Sequence, residues 1–349
     1  MLFAFNQKTC LLATAIAFGA YNATHAQADT KEIAINFAAY VGEEEFVCGK
    51  SYQGVGTEKS TITPTDFRFY VSNVALIDRE GNAVPLKLQQ DGKWQYQNTA
   101  LLDFEDGKSA CDNGTAEINT TVVGTVPQGD YQSLQFTLGV PQNLNHDDAA
   151  IAPSPLNLTS MWWNWQGGYK FLRVDLTTEN AMANTSHSQS GQSNLQVNEQ
   201  STHQNSSKAG IFPHGQSTHS QAHSTTQSTH QSSHGEHSSA HSSEAINSNA
   251  YLIHLGSTGC SDSAQSNLFT CANPNRTQVV LEDFNPEDNV VIADLGELLA
   301  QSNLTSNQAN TPNGCMSSPE DSDCMPIMQN LNLSSSNTGE SAQYFFFVE

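Results

Sequence analysis

Between residues 31 and 176 the chain alternates short apolar runs with turn residues, and no long helical period interrupts them. The runs 33–40, 67–74, 131–138 and 169–176 show period-two patterning or β-rich composition. Glu80-Gly81-Asn82, Asp91-Gly92 and Gln128-Gly129-Asp130 punctuate them as turns. A chain written this way buries one face of each strand against another sheet. The expected fold is all-β, a β-sandwich or open barrel.

Residues 184–249 break the pattern. Ser, Gln, His, Thr and Asn dominate there and large apolar residues nearly vanish. Such a segment cannot bury enough apolar surface to offset its chain entropy, so it reads as a long disordered insertion. The runs on either side, 171–176 and 251–255, suit a β-hairpin whose loop has been greatly expanded. Loop closure costs little more as the loop lengthens. Further strands are expected over 278–284 and 288–294, then a short helix capped by Asp294. An acidic loop bounded by Cys315 and Cys324 follows. The reading is one β-rich domain, residues 29–183 and 250–349, carrying the insertion at 184–249.

Residues 1–28 are read as a secretory signal peptide. Lys8 precedes an apolar run from Leu11 to Ala20, and Ala26-Gln27-Ala28 offers a small-residue cleavage site. The run is too short to span a membrane as a helix, so no membrane insertion is expected. Cleavage removes Cys10 and leaves Cys48, Cys111, Cys260, Cys271, Cys315 and Cys324. An even number in an exported chain argues for disulfides, and six cysteines permit about fifteen connectivities. Loop economy favours Cys48–Cys111, Cys260–Cys271 and Cys315–Cys324. The net charge of -22 disfavours nucleic acid and anionic membranes, which attract clustered Lys and Arg.

Three of the four tryptophans, Trp162, Trp163 and Trp165, fall within four positions, followed by Gly167-Gly168. In a strand, Trp163 and Trp165 would share one face with Met161 while Trp162 pointed away. Aromatic packing in a core explains such a cluster as readily as a functional indole does. Two histidines lie outside the insertion and the leader. His146 follows Asn145 and precedes Asp147-Asp148, and His254 is the odd polar residue in an apolar run. Imidazole suits copper, zinc and nickel. A further ligand would come from Asp147, Asp148, Met161, water or an opened indole, since an intact indole nitrogen only donates.

Several motifs together resemble one family. They are Gly139-Val-Pro-x-x-Leu-Asn-His146-Asp, Pro155-Leu-Asn157, Met161-x-Trp163-x-Trp165-x-x-Gly-Tyr-Lys-Phe171, His254-Leu-Gly-Ser-Thr-Gly-Cys260 and Asn313-Gly-Cys-Met-Ser-x-Pro319 with Cys324. The chain is similar, over 31–349 apart from the insertion, to the MbnP-like proteins, also called metallo-mystery-pair four-Cys-motif proteins. The resemblance implies a secreted, β-rich, copper-binding protein. It also implies a di-haem cytochrome-c-peroxidase-like partner that oxidises a tryptophan to kynurenine. Carried over by motif position, Trp163 comes first and Trp165 second for oxidation, and His146 and His254 are the copper ligands. The chain departs from some relatives in lacking Trp-x-His, and it carries a histidine-rich insertion that the family does not require.

That insertion holds nine of the twelve histidines. Seven of them, His214, His219, His223, His230, His234, His237 and His241, make a candidate weak metal-capturing arm, in which many neutral imidazoles raise the local ligand concentration. The plainer reading is a solvated spacer. Enzyme signatures are missing: there is no Gly-x-Ser-x-Gly, phosphate loop, His-Glu-x-x-His or Cys-x-x-Cys-His. The expectation is a copper-binding protein and not an enzyme. The competing reading is an adhesive or structural surface protein that uses its sandwich for contacts and the arm as a spacer.

Overall fold

The computed structural model describes residues 29–111, 114–179, 183–184, 249–262, 269–333 and 343–349. The proposed leader (1–28) and all nine histidines of the insertion lie outside the described residues.

The main strands, in chain order, are β1 (Thr30–Val41), β2 (Ser60–Asp78), β3 (Thr99–Asp103), β4 (Thr121–Pro127), β5 (Tyr131–Leu138), β6 (Trp162–Asn164), β7 (Gly168–Thr178) and β8 (Ala250–Gly256). Then come β9 (Thr258–Asp262), β10 (Phe269–Asn273), β11 (Thr277–Leu281), β12 (Val290–Asp294), helix α1 (Leu295–Leu299), β13 (Gly314–Cys315), helix α2 (Cys324–Asn330) and β14 (Phe346–Val348). They build two sheets. The smaller runs β14-β12-β1-β4, with β1 and β12 parallel. The larger runs β11-β5-β2-β7-β8-β13, with β3 attached to β2 and β6 to β7. The expected all-β sandwich is the fold.

The core lies between the sheets. Ile33, Ile35 and Phe37 from β1 meet Phe67, Phe69 and Val71 from β2, Leu172 and Val174 from β7, and Ile253 and Leu255 from β8. Phe69 is wholly buried, with Phe37 and Phe346 packed edge-on at 6.1 and 5.4 Å. Burying one such ring contributes about 2–3 kcal/mol. The period-two signal works here because β2 sends Phe67, Phe69 and Val71 inward and Asp66, Arg68 and Tyr70 outward.

The outward face is covered as well. A second apolar cluster joins Tyr70, Leu101, Tyr169 and Phe171 of the sheet to Val140, Leu144, Leu156 and Met161 of the segment between β5 and β6. Tyr70 and Tyr169 donate their hydroxyls to the carbonyls of Pro155 and Leu156, at 3.0 and 2.7 Å, which pins that segment down.

The expanded hairpin is present. β7 and β8 pair antiparallel, with Arg173 opposite His254. Their far ends stay in contact, since the Thr178 N–H donates to the Asn249 carbonyl at 2.7 Å. The cysteines pair as Cys48–Cys111, Cys260–Cys271 and Cys315–Cys324. Asp294 caps α1, its carboxylate accepting from the N–H groups of Gly296 (2.7 Å) and Gly42 (2.8 Å). The second helix, α2, was not expected; it begins at Cys324, where the expected acidic loop ends.

Candidate metal centre

The tryptophan hairpin departs from simple alternation. Strand β6 ends at Asn164, whose side-chain carbonyl accepts from the N–H groups of Gln166 (2.9 Å) and Gly167 (2.7 Å). Such an Asx turn bends the chain before Trp165 can continue the strand. Trp163 and Trp165 therefore do not share a strand face with Met161, contrary to the sequence expectation. Met161 is fully buried in the second cluster, and Trp162 packs against it. Trp165 is 61% exposed, its ring centroid 5.6 Å from that of Phe269.

Trp163 lies over glycine. A Cβ placed on Gly256 would stand 2.6 Å from Cζ3 of Trp163 and 2.7 Å from the Tyr169 carbonyl oxygen, so any larger residue in β8 would displace the indole. The same indole lines a cleft of about 420 Å³ with Gln166, Gly259, Cys260 and Met316. The Gly167-Gly168 pair also allows a close backbone approach. Gly168 has φ +76°, and a side chain on it would collide with Asn145.

His254 is two residues before Gly256 on the same face of β8. Its Nε2–H donates to Asp175 Oδ1 at 2.7 Å. Burial lowers the imidazole pKa, with Asp175 pulling the other way. Burial would raise Asp175, yet hydrogen bonds from His254 and Arg173 hold it down at about 2. The pair at neutral pH is thus a neutral imidazole donating to an ionised carboxylate. That tautomer leaves Nδ1 as the unprotonated ring nitrogen, the state a metal ligand requires, with a carboxylate orienting the ring.

His146 sits on the other flank of the hairpin. Its Nδ1–H donates to the Trp165 carbonyl at 3.1 Å. Asn145 donates its amide to Nε2 at 3.1 Å while accepting from the Tyr169 N–H at 3.2 Å. The ring lies 4.5 Å from that of Phe269, and Nε2 is 3.6 Å from Cys271 Sγ. Burial again lowers the pKa. His146, Cys260 and Cys271 have ligand atoms within 4.8 Å of one another, but both sulfurs are in a disulfide and hold no thiolate. The neighbouring Asp147 is raised by burial, and Asp148 is taken by the Ala150 N–H at 2.9 Å. His146, the hairpin and β8 thus meet at one end of the larger sheet: His146 bonds the hairpin at Trp165, Trp163 rests over Gly256 of β8, and His254 bonds Asp175 farther along β7. The two histidines share no contact among the described residues.

Sequence reasoning missed what fixes the hairpin in place. Ser160, just before the tryptophans, is held by three cations from the sheet. Its carbonyl accepts from Lys170 Nζ (2.8 Å) and from Arg173 (3.1 Å), and its hydroxyl accepts from Arg68 (3.2 Å). Asp66 binds both arginines, at 2.9 Å to Arg68 Nε and 3.1 Å to Arg173 Nε, and Asp175 binds Arg173. Glu105 lies 3.6 Å from Arg68. Burial lowers Lys170 to about 8 and raises Asp103 to about 7. Polar residues at alternate positions in β2 and β7 were the available signal. They resemble a solvated face until the segment between β5 and β6 is laid over them.

Among the described residues no helix is long and apolar enough to cross a membrane. No curated protein matches the chain. Among solved structures it is similar to MbnP from Methylosinus trichosporium, with a TM-score of 0.66 and 25% identity, over 92% of this chain and 98% of that one. The MbnP family model matches residues 30–211, more than half of the chain. With the sandwich, the paired cysteines and the tryptophan hairpin at one end of the sheet, the chain belongs to the MbnP family.

Proposed function

We propose that this is an exported copper-binding protein, not an enzyme, whose Trp163 is converted to kynurenine by a di-haem cytochrome-c-peroxidase-like partner. The observation that carries the reading is the position of Trp163. Its indole forms the wall of an open cleft and rests on the sheet face that carries His254 two residues away. An oxidant reaches the ring from the cleft, and the product stays beside a neutral imidazole.

The oxidation balances with peroxide as oxidant. Two equivalents cleave the indole C2–C3 bond, leave two oxygen atoms on the product and release two waters. Water then removes the formyl group as formate. An aromatic amine and a ketone remain, both of which can accept a metal where the intact indole N–H could not. The donors present fit copper: His254 and His146 are neutral near pH 7, and imidazole is a good copper ligand. Copper bound here would be held by His254 and the opened ring, with His146 on the far flank of the hairpin. Ser160 and its three cations hold the segment that presents Trp163. Trp165 is the second candidate for oxidation, being exposed and bonded through its carbonyl to His146. The histidines of 187–241 would add weak, unselective capacity.

Copper affinity of the protein purified with its partner tests the reading. His254→Ala should abolish tight binding, and Trp163→Phe should weaken it, with both variants folded by circular dichroism. Wild-type affinity in His254→Ala would remove that residue from the ligand set.

A further inference from the structure

A second cleft lies on the other side of Ser317. It has a volume of about 410 Å³ and is lined by Met325 and Met328 of α2 together with Asp321, Asn273 and Asn275. Half of the chain's six methionines fall between 316 and 328. Met325 and Met328 are three residues apart on the helix, which places both thioethers on one side of it. Met325 is 56% exposed at the mouth, while Asp321 is 1% exposed in the wall. Asp321 Oδ1 accepts from the Asp323 N–H at 3.0 Å, but Oδ2 is buried and has no hydrogen-bond partner among the described residues. A buried carboxylate oxygen without a donor is costly, and a bound cation is one way to satisfy it.

We propose that Met325, Met328 and Asp321 form a separate binding site for a soft monovalent cation. Two thioethers select a soft ion, and the single carboxylate supplies the matching negative charge. Thioethers also need no deprotonation and resist the oxidation that removes paired thiols as ligands in an exported protein. Naming copper(I) as the natural ion rests on the function proposed above; the existence of the site does not. Its neighbour is the tryptophan cleft. Ser317 lines the thioether cleft, accepts from the Gly256 N–H at 2.8 Å and donates to the His254 carbonyl at 2.8 Å. Met316, the preceding residue, lines the cleft of Trp163. The two clefts are therefore lined by consecutive residues, Met316 on one side and Ser317 on the other.

Silver(I), a redox-inert probe, tests this on the full chain produced without its partner, so that no kynurenine is present. With methionine methyl groups carbon-13 labelled, Met325→Leu and Met328→Leu assign the two signals. Both methyl resonances in the wild type should shift together and saturate together, ahead of Met161. Asp321→Asn, which keeps the acceptor for Asp323, should weaken that response at least about tenfold. Imidazoles that also take silver leave these methyls unmoved, so the reading is specific to the cleft. A shift at exposed Met325 alone, or an unchanged response in Asp321→Asn, would overturn the site. Neither result bears on whether His254 binds copper, which the copper titration decides.

Discussion

The two faces of the larger sheet are made by the same strands and solve opposite problems. The inner face buries Phe67, Phe69, Val174 and Ile253 against the smaller sheet in one continuous apolar cluster. The outer face buries Asp66, Arg68, Arg173 and Asp175 under a loop, each with a partner. Hydrophobic packing is non-directional and makes the fold stable. Charge-assisted hydrogen bonds are directional, and here they converge on Ser160, one turn before Trp163. A buried ion pair often adds little net stability over an apolar replacement, so its use here is positional: it sets where the hairpin sits.

The largest expected effects test whether the two faces are equally intolerant. Phe69→Ala should cost about 3–5 kcal/mol by leaving a cavity in the core. Arg68→Met should cost a similar amount, about 3–5 kcal/mol, because it strands buried Glu105 without its cation and leaves Asp66 with Arg173 alone. Urea unfolding measures both. A loss below about 1 kcal/mol in Arg68→Met would place that network in solvent and break the comparison.

The outer face should also give stability a pH dependence that the inner face lacks. Asp175, held at about 2, stabilises the fold above its ordinary pKa, and that contribution disappears as pH falls toward 2. Asp103, raised by burial to about 7, has the reverse sign. Its favoured neutral form contributes fully below its ordinary value of 3.8, and the contribution is lost as pH rises through 7. Asp103→Asn should therefore raise the thermal midpoint more at pH 8 than at pH 4. Equal shifts at both would show that Asp103 does not titrate in this window.

Much of the inner face was legible in the sequence and little of the outer face was. Phe67, Phe69 and Val71 alternate with polar residues, and period two identifies β2 from those positions alone. The three disulfides were legible because the nearest cysteines in sequence are partners. Trp165 was misplaced because alternation was extended through Asn164, whose Asx turn ends the strand. The ionic network was invisible for a different reason. Asp66 and Arg68 look solvated until the segment between β5 and β6, which has no periodicity of its own, folds across them. Helix α2 was hidden by Pro326 and its acidic surroundings, although proline is tolerated in a first helical turn.

The smallest expected effect concerns the insertion. Thr178 and Asn249 are already hydrogen-bonded, so the hairpin closes without help from what lies between them. Deleting residues 187–241 should change stability by less than about 1 kcal/mol, since shortening a long loop alters closure entropy only slightly. Total metal capacity at neutral pH should fall, and the difference from the full chain should vanish below about pH 6 as imidazoles protonate. Loss of cooperative unfolding in the deleted chain would place the insertion inside the fold.

The central claim is that Trp163 is presented for oxidation beside His254. Peptide mapping by mass spectrometry, on protein co-produced with the proposed peroxidase-like partner, addresses that claim residue by residue. Kynurenine is expected at Trp163, with Trp94 and Trp162 intact and copper recovered with the modified protein. Kynurenine at Trp165 alone would move the site to the His146 flank, and four intact tryptophans would contradict the account.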